Sequence, residues 1–505
     1  MKIPQLVWRI PLGAVGGLIG LYAFPTENIW ILAPLIPGLI LLATLGLGFW
    51  SAVLVGFIAS QAFYISHIEW ISLYLGPIPL LALSTLQSFF FALGVGATAW
   101  LYKKWNPKKQ SLIIFAFAAA SIWTAREYLA NNFPYGGFPW SRLAMTQPGS
   151  FMSQWVYFGG LSLLSFVLAL LGSIIAIWIL HRKGRNALRK GPAFAVIGAM
   201  VIIPLTTMLL NNPSASGTKV IAAVQGNANA GLFSNLDRGT ILQNHLDATE
   251  LVFDSELAGQ VDLLVWPENA SDIDPLRSAA AATKIDEIAS RLGAPFSFGT
   301  ITKRGGESFN STLLWKPGVG AVDYYDKKQP VPFAEFVPDR EFWRLFAPAL
   351  IDLVPEGYTF GVRDGIYEIE EDFVAGTLIC FEIAEDGILR ELVAGGAEVI
   401  LSQTNNADFG YSDETYQQAG IAQLRAIETG RSIVNISTVG LSAIYLPNGK
   451  VLSELVWYQP GAMVEQVPLY NGSTPAMAIG AGFDYINLTA AFGTLIVFYF
   501  RKKRR

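Results

Sequence analysis

The chain has 505 residues, of which 52% are apolar and 15% charged, against roughly 25% charged in ordinary soluble domains. A net charge of −4, with no basic stripe interleaved with aromatics, gives no sign of a nucleic-acid partner. The single cysteine rules out an internal disulfide and a Cys-rich metal site. Of the three histidines, His67 and His181 lie in or beside apolar runs, which leaves only His245 and argues against a His-based triad or a multi-His zinc centre in the polar part.

The charge deficit is uneven. Long apolar runs dominate between Leu12 and Leu210, and normal α/β composition follows from Thr218 to Tyr470. The end is an apolar tail closed by Arg501-Lys502-Lys503-Arg504-Arg505. A bilayer core asks for about 20 mostly apolar residues per helix. Seven runs precede the polar part, at 10–25, 29–48, 50–67, 77–102, 111–126, 155–180 and 193–211, and an eighth covers 474–500. The first follows Lys2 and Arg9 as a signal peptide would, but six further spans make it the first helix of a polytopic membrane domain. Basic residues set its orientation. Lys103, Lys104, Lys108 and Lys109 follow the fourth run, and Arg182, Lys183, Arg185, Arg189 and Lys190 follow the sixth. With the terminal RKKRR these mark the cytoplasmic side, so the polar segment after the seventh run is expected to be extracytoplasmic. The organisation expected is a seven-helix transmembrane domain over 1–212, a catalytic domain over 218–470, an eighth transmembrane helix over 474–500 and a basic cytoplasmic tail over 501–505. The outer loop from Asn131 to Trp140 is rich in aromatics, which serve either as interfacial anchors or to shape a lipid entrance.

In the polar part, strands are expected at 219–225, 262–266, 295–301, 309–316, 320–326, 374–380, 397–402, 432–437 and 441–446. Helices are expected near 236–257, 278–292, 384–394 and 414–430. The mixture predicts sheets with their faces covered by helices. Three strand ends carry chemistry: Trp266-Pro267-Glu268-Asn269, Tyr324-Tyr325-Asp326-Lys327-Lys328, and Ile379-Cys380-Phe381-Glu382. Sites on α/β sheets gather at such C-terminal ends.

A free thiol is only a few per cent thiolate at neutral pH and needs a base. With no suitable histidine, a carboxylate serves, and partial desolvation raises a Glu toward the working range. Lys327 would face the oxyanion of a tetrahedral intermediate, together with the backbone N–H of Phe381, while Glu335 orients Lys327 or assists proton transfer. Singly, each residue has a plainer role. Cys380 suits a small core position, Glu268 suits a helix cap or open solvent, and Lys327 suits a solvated pair with Lys328. Their order and shared placement at strand ends carry the functional case.

On the segments Pro267-Glu268-Asn269, Tyr325-Asp326-Lys327 and Ile379-Cys380-Phe381-Glu382, residues 219–470 resemble the nitrilase superfamily. Val224-Gln225-Gly226-Asn227, Pro332-Phe333-Ala334-Glu335, Gly137-Phe138-Pro139-Trp140 and Arg425-Ala426-Ile427-Glu428-Thr429-Gly430-Arg431 extend the likeness. With the membrane part included, the whole chain resembles the apolipoprotein N-acyltransferase family. That resemblance implies an extracytoplasmic nitrilase-like αββα sandwich on eight transmembrane helices, in a multi-pass protein of the bacterial cytoplasmic (inner) membrane. It implies Glu268 as base, Lys327 as oxyanion stabiliser and Cys380 as nucleophile, with Glu335 and Glu382 in support. The acyl donor would be a phospholipid, the acceptor the amine of a diacylglyceryl-modified apolipoprotein, and no metal or cofactor is implied. The chain departs from the family pattern at Phe381, where a tyrosine is common, at Ala334, where a glycine is common, and at Asp408, where a tryptophan is common. Phe233 and Ser234 lie near the place of another expected tryptophan.

Independently of the family, a bilayer acyl donor must be reached without wetting its chain, at about 0.8 kcal/mol per CH₂. The segment from Phe333 to Tyr358 is long and apolar for a loop, and is expected to be either an arm dipping into the outer leaflet or a helix packed on the sandwich. Two rivals remain. A membrane-tethered amidase would use the same triad on a small amide, and a transporter would need more intramembrane charge than the runs contain.

Overall fold

The computed structural model describes residues 6–181, 190–210, 213–231, 236–354 and 357–501. Arg182, Lys183, Arg185 and Arg189, the place of Phe233 and Ser234, and the end of the basic tail lie outside the described residues. The chain forms two compact units, Met1–Asn211 with Pro475–Arg505, and Asn212–Thr474.

In the first unit, seven helices among the described residues are long and apolar enough to cross a membrane: Leu6–Ala23, Phe49–His67, Pro77–Lys104, Leu112–Asn132, Phe151–His181, Gly191–Leu210 and Gly482–Phe500. The run expected over 29–48 gives instead a shorter apolar helix, Trp30–Thr44. Its regular α-helical part, Leu35–Thr44, has only 10 residues, starting after Pro34 and ending before Gly46, whose φ is 86°. The run over 474–500 is likewise divided, into Pro475–Ile479 and Gly482–Phe500, at Gly480 with φ 58°. Packing between helices relies on small residues. A Cβ on Gly17 would fall 2.0 Å from the carbonyl oxygen of Ala59, so the first helix and Phe49–His67 meet backbone to backbone.

Arg126 and Glu127 are both buried in the helix Leu112–Asn132. Buried charge within a membrane span is costly unless it is partnered, and both residues are partnered. The Arg126 guanidinium lies 4.2 Å from the Phe91 ring and 4.3 Å from that of Trp123. Glu127 Oε1 accepts from Trp123 Nε1 at 2.9 Å and from the Leu143 amide at 3.1 Å. The loop after this helix is mixed in character. Trp140 is buried edge-on against Trp70 with ring centroids 5.7 Å apart, whereas Phe133 and Tyr135 are exposed.

The second unit contains two six-stranded sheets. The strands are β1 (Gly217–Gln225), β2 (Leu263–Val265), β3 (Phe296–Arg304), β4 (Glu307–Lys316), β5 (Gly320–Asp326), β6 (Ile366–Glu370), β7 (Phe373–Ile379), β8 (Val399–Thr404), β9 (Ser432–Ser437), β10 (Ala443–Tyr445), β11 (Val451–Glu454) and β12 (Gly461–Leu469). The first sheet runs β12-β1-β2-β3-β4-β5 and the second β11-β10-β9-β8-β7-β6. The central strands are apolar on both faces because both faces are covered. In β1, Ile221 and Ala223 point between the sheets, toward Ile379, Leu401, Val434 and Ile436. Val220, Ala222 and Val224 point the other way, into the helices Thr240–Phe253 and Ala279–Leu292. The period of two along a strand makes this division. Helices Asp386–Ala394 and Glu414–Thr429 accompany the second sheet.

Three strands were not expected: β6, β11 and β12. All three are sheet edges. Edge strands are half solvated and tolerate charge and proline, which weakens their apolar alternation. Pro468 in β12 illustrates this, paired opposite Thr218 on the outermost strand. The helix expected at 384–394 starts later, at Asp386, because Cys380–Ala384 forms a separate 3₁₀ turn.

Arg425 ties that turn to the helix layer. It is fully buried, and donates from Nε to the Ile383 carbonyl at 2.9 Å and from Nη2 to the Ala384 carbonyl at 2.6 Å. Its charge is met by Asp386 at 2.7 Å and Glu428 at 2.6 Å. Replacing Arg425 by leucine removes the buried cation that both carboxylates face and the two carbonyl bonds that hold the turn, and is expected to cost about 3–5 kcal/mol, read as a lowered thermal transition of the detergent-solubilised full chain.

Candidate active site

Glu268, Lys327 and Cys380 each stand just past the C-terminal end of a strand, β2, β5 and β7 respectively, so the first two come from one sheet and the thiol from the other. The backbone leaving β2 is held on both sides. The Trp266 amide donates to the Ser297 carbonyl at 2.9 Å, and Gln403 Nε2 of β8 donates to the Trp266 carbonyl at 2.6 Å. Beyond Pro267, Asn269 takes φ 52°, which turns the chain and leaves Glu268 buried at 4% exposure. Gly299 of β3 makes this possible, since a Cβ there would lie 2.5 Å from the Cα of Glu268.

Lys327 is not a solvated partner of Lys328. It is 2% exposed, and its Nζ lies 2.8 Å from Glu335 Oε2 and 3.5 Å from Glu268 Oε1. Asn310 of β4 joins the two carboxylates through Nδ2, at 2.7 Å to Glu268 Oε1 and 2.9 Å to Glu335 Oε1. Asn310 also receives the Lys327 amide on its carbonyl at 2.8 Å. Glu335 Oε2 further accepts the Val331 amide at 2.7 Å. Lys328 points elsewhere, to Asp364 and Glu391.

Cys380 takes φ 54° and opens the 3₁₀ turn, so its half-buried side chain leaves the direction of β7. Phe381 follows in the same turn and is half-buried. Glu382 is fully buried and makes no ion pair among the described residues. It accepts Tyr325 Oη at 2.9 Å and the amides of Lys328 at 2.7 Å, Gln329 at 3.0 Å and Ile379 at 2.8 Å. One carboxylate thereby locks the exit of β5, which bears Lys327, to the exit of β7, which bears Cys380.

The electrostatics follow from burial and neighbours. Desolvation raises the Glu268 carboxyl above its ordinary value, Lys327 opposes the rise and Glu335 adds to it. Desolvation works against the Lys327 ammonium, but the charges of Glu335 and Glu268 outweigh it, so its pKa stands above the usual lysine value. Desolvation, then Glu268, pushes the Cys380 thiol up to about 12 despite Lys327. The resting thiol therefore holds its proton. The arrangement offers a protonated nucleophile, an acceptor for its proton and a fixed cation.

Several site residues were not singled out in the sequence: Asn310, Gln403, Glu414 and Gln418. Glu414 is 2% exposed and desolvation raises it to about 8. Gln418 Nε2 points to Cys380 Sγ at 3.6 Å. The polar run Ser402-Gln403-Thr404-Asn405-Asn406 at the end of an apolar strand was the available signal for this side of the site. Glu414 and Gln418 sit on a helix whose register only the fold reveals.

The segment after Glu335 leaves and returns at the site. Its return is pinned by the Tyr358 amide on the Glu335 carbonyl at 3.0 Å and the Gly361 amide on the Lys327 carbonyl at 2.9 Å. Between these points are two short helices, Arg340–Arg344 and Pro348–Ile351. Ile351 and Val354 are buried, but Phe342, Leu345 and Phe346 are 52%, 78% and 70% exposed.

A thiol, carboxylate and ammonium on an αββα sandwich, in a chain with apolar helices, define a membrane-attached member of the carbon-nitrogen hydrolase class. Residues 220–471 match the carbon-nitrogen hydrolase family model, and residues 16–174 match that of the apolipoprotein N-acyltransferase N-terminal domain. An apolipoprotein N-acyltransferase of Mycolicibacterium smegmatis is 31% identical over 515 residues, covering 96% of this chain and 84% of the relative. One of Vibrio cholerae is 25% identical over 503 residues, covering 97% and 96%. The crystal structure of an amidase from Nesterenkonia matches at 18% identity and a TM-score of 0.40, covering 55% of this chain and 98% of that one. The chain belongs to the apolipoprotein N-acyltransferase family.

Replacing Lys327 by methionine leaves Glu268 without the cation that opposes its raised pKa, and is expected to cost about 3–5 kcal/mol at neutral pH. The Glu268 carboxyl then binds its proton more tightly in the folded than in the unfolded chain. That linkage favours folding below the unfolded carboxyl value, and the benefit is lost as pH rises through the folded value. The stability deficit against wild type should therefore narrow as pH falls from about 8 to about 5, in thermal unfolding of the full chain.

Proposed function

We propose that this acyltransferase moves a fatty acyl chain from a phospholipid, through a thioester on Cys380, to the α-amine of a diacylglyceryl-cysteine at the N-terminus of an apolipoprotein. The observation that carries the proposal is the buried Lys327 ammonium between Glu268 and Glu335, beside the one thiol of a chain in this family. In the first half-reaction Glu268 takes the thiol proton as Cys380 Sγ attacks the ester carbonyl. Lys327 and the Phe381 N–H face the oxyanion. Collapse breaks the acyl C–O bond, and the lysophospholipid oxygen leaves with the proton from Glu268. In the second half-reaction Glu268 takes a proton from the incoming ammonium, and the free amine attacks the thioester. Collapse breaks the C–S bond and the amide forms; the sulfur takes the proton held by Glu268, and Glu268 takes the remaining amine proton and releases it to solvent. Glu335 and Glu382 support these steps by holding Lys327 and the two strand exits.

The same proposal assigns 1–212 to the transmembrane domain, 218–470 to the catalytic domain, 474–500 to the last span and 501–505 to a cytoplasmic tail. Trp30–Thr44 serves as the short eighth membrane element. The catalytic unit faces the extracytoplasmic side of the bacterial inner membrane. The lysines at 103–109 and the basic residues at 182–190 and 501–505 support this orientation by the positive-inside rule. The exposed apolar side chains Phe342, Leu345 and Phe346 support an arm that enters lipid to admit both substrates. A small-amide hydrolase has no use for such a segment.

Incubating the purified full chain with phospholipid is expected to add one fatty-acyl mass to the wild type, labile to hydroxylamine, and none to Cys380→Ala. An unmodified wild-type mass would remove the thioester. The triple change of Phe342, Leu345 and Phe346 to serine is expected to slow acyl loading at least about tenfold, while leaving alkylation of Cys380 by iodoacetamide near the wild-type rate. Equal loading would remove the arm.

A further inference from the structure

The mechanism above accounts for the proton and for the oxyanion but leaves the sulfur's own charge to the polar groups beside it, the Gln418 amide and the Thr404 hydroxyl. Among the described residues, Glu268, Lys327 and Glu414 are the charged or titratable groups that face Cys380. The Glu414 carboxylate, at the start of the helix Glu414–Thr429, makes no ion pair among the described residues. Instead, Glu414 Oε2 accepts Asn406 Nδ2 at 2.7 Å. The same Nδ2 donates to Gln418 Oε1 at 2.7 Å, and Thr404 Oγ1 donates to that oxygen at 2.7 Å. Asn406 Oδ1 accepts Ser437 Oγ at 2.5 Å. All these side chains are nearly fully buried.

The polarity of this chain is fixed from its far end. Ser437 Oγ receives the Gly440 amide at 2.8 Å and gives its own proton to Asn406 Oδ1, which turns Asn406 Nδ2 toward Glu414 and Gln418. The Gln418 oxygen is then occupied by two donors, and its Nε2 has to face the sulfur, at 3.6 Å, a hydrogen-bond distance for an atom of that radius. We infer that Gln418 is a further catalytic residue, donating to Cys380 Sγ whenever that atom carries negative charge, and that Glu414 and Asn406 are the positioning residues that set the direction of its amide. The donor acts twice, once as the sulfur attacks the ester and once as it leaves the thioester. It rests on Cys380 being the acyl carrier.

The test is the pH–rate profile for alkylation of Cys380 by iodoacetamide in the full chain, together with single-turnover acylation from phospholipid. Gln418→Leu removes the donor at similar volume, and is expected to move the alkylation profile to higher pH and slow acylation about tenfold or more, the worth of one hydrogen bond to a charged group. Gln418→Met serves as a second variant with the same expectation, should the first fail to fold. Unchanged profiles in a folded Gln418 variant overturn the inference. Glu414→Gln separates positioning from bare charge by sign. Loss of a negative charge alone would move the profile to lower pH, because Glu414 raises the thiol. Loss of the imposed amide direction moves it to higher pH. The upward shift is expected, and a downward one overturns the role of Glu414. Acylation that persists in Cys380→Ala would instead overturn the thioester itself, whatever the Gln418 variants show.

Discussion

The site is built around one ammonium that the fold has taken out of water. Removing Lys327 from solvent costs several kcal/mol, recovered only if its charge is met at close range. Glu335 at 2.8 Å and Glu268 at 3.5 Å meet it, and Asn310 bridges the two carboxylates. The unequal distances divide the labour. The nearer carboxylate also receives the Val331 amide and is the holder. The farther one has spare accepting capacity and lies toward the thiol. Passing the thiol proton to Glu268 leaves the summed charge of the cluster unchanged. Such a transfer would move charge within the cluster instead of creating it there.

Holding that cluster in place falls to residues that fix the backbone around it. Glu382 gathers four donors from the exits of β5 and β7. Arg425 clamps the turn that begins at Cys380 from behind. Gly299 gives way so that the Glu268 turn can settle on β3. Each is buried, and each acts by fixing backbone, so the side chains of Glu268, Lys327 and Cys380 have few rotations left to lose.

The central elements and the three strand-end residues were legible in the sequence because each leaves a local mark. Apolar runs covered on both faces read as strands, and a lone carboxylate, lysine or cysteine at the end of such a run stands out. The edges β6, β11 and β12 left no such mark, since one side of an edge answers to solvent. Glu382 was noticed for its place two residues after Cys380, but its work as a backbone lock depends on amides some fifty residues earlier. Asn310, Gln403, Asn406, Glu414 and Gln418 were hidden for the same reason. A polar side chain inside a strand or helix acquires meaning only from what faces it. The plain alternative for Lys327, a solvated pair with Lys328, failed because nothing local reports that one of two adjacent lysines turns inward.

Gln403 carries a consequence for the sandwich as a whole. The layer between the sheets is otherwise largely aliphatic, and aliphatic surfaces slide past one another at little cost. Its amide accepts Thr377 at 2.8 Å within its own sheet and Ser297 at 3.2 Å from the other, and donates to the Trp266 carbonyl two residues before Glu268. It works as a dowel through two boards. Displacing one sheet against the other by even a fraction of a residue would break the two bonds that cross between them, to Ser297 and Trp266, in a medium that offers no replacement. The spacing between sulfur and carboxylate is thus inherited from the alignment of the layers.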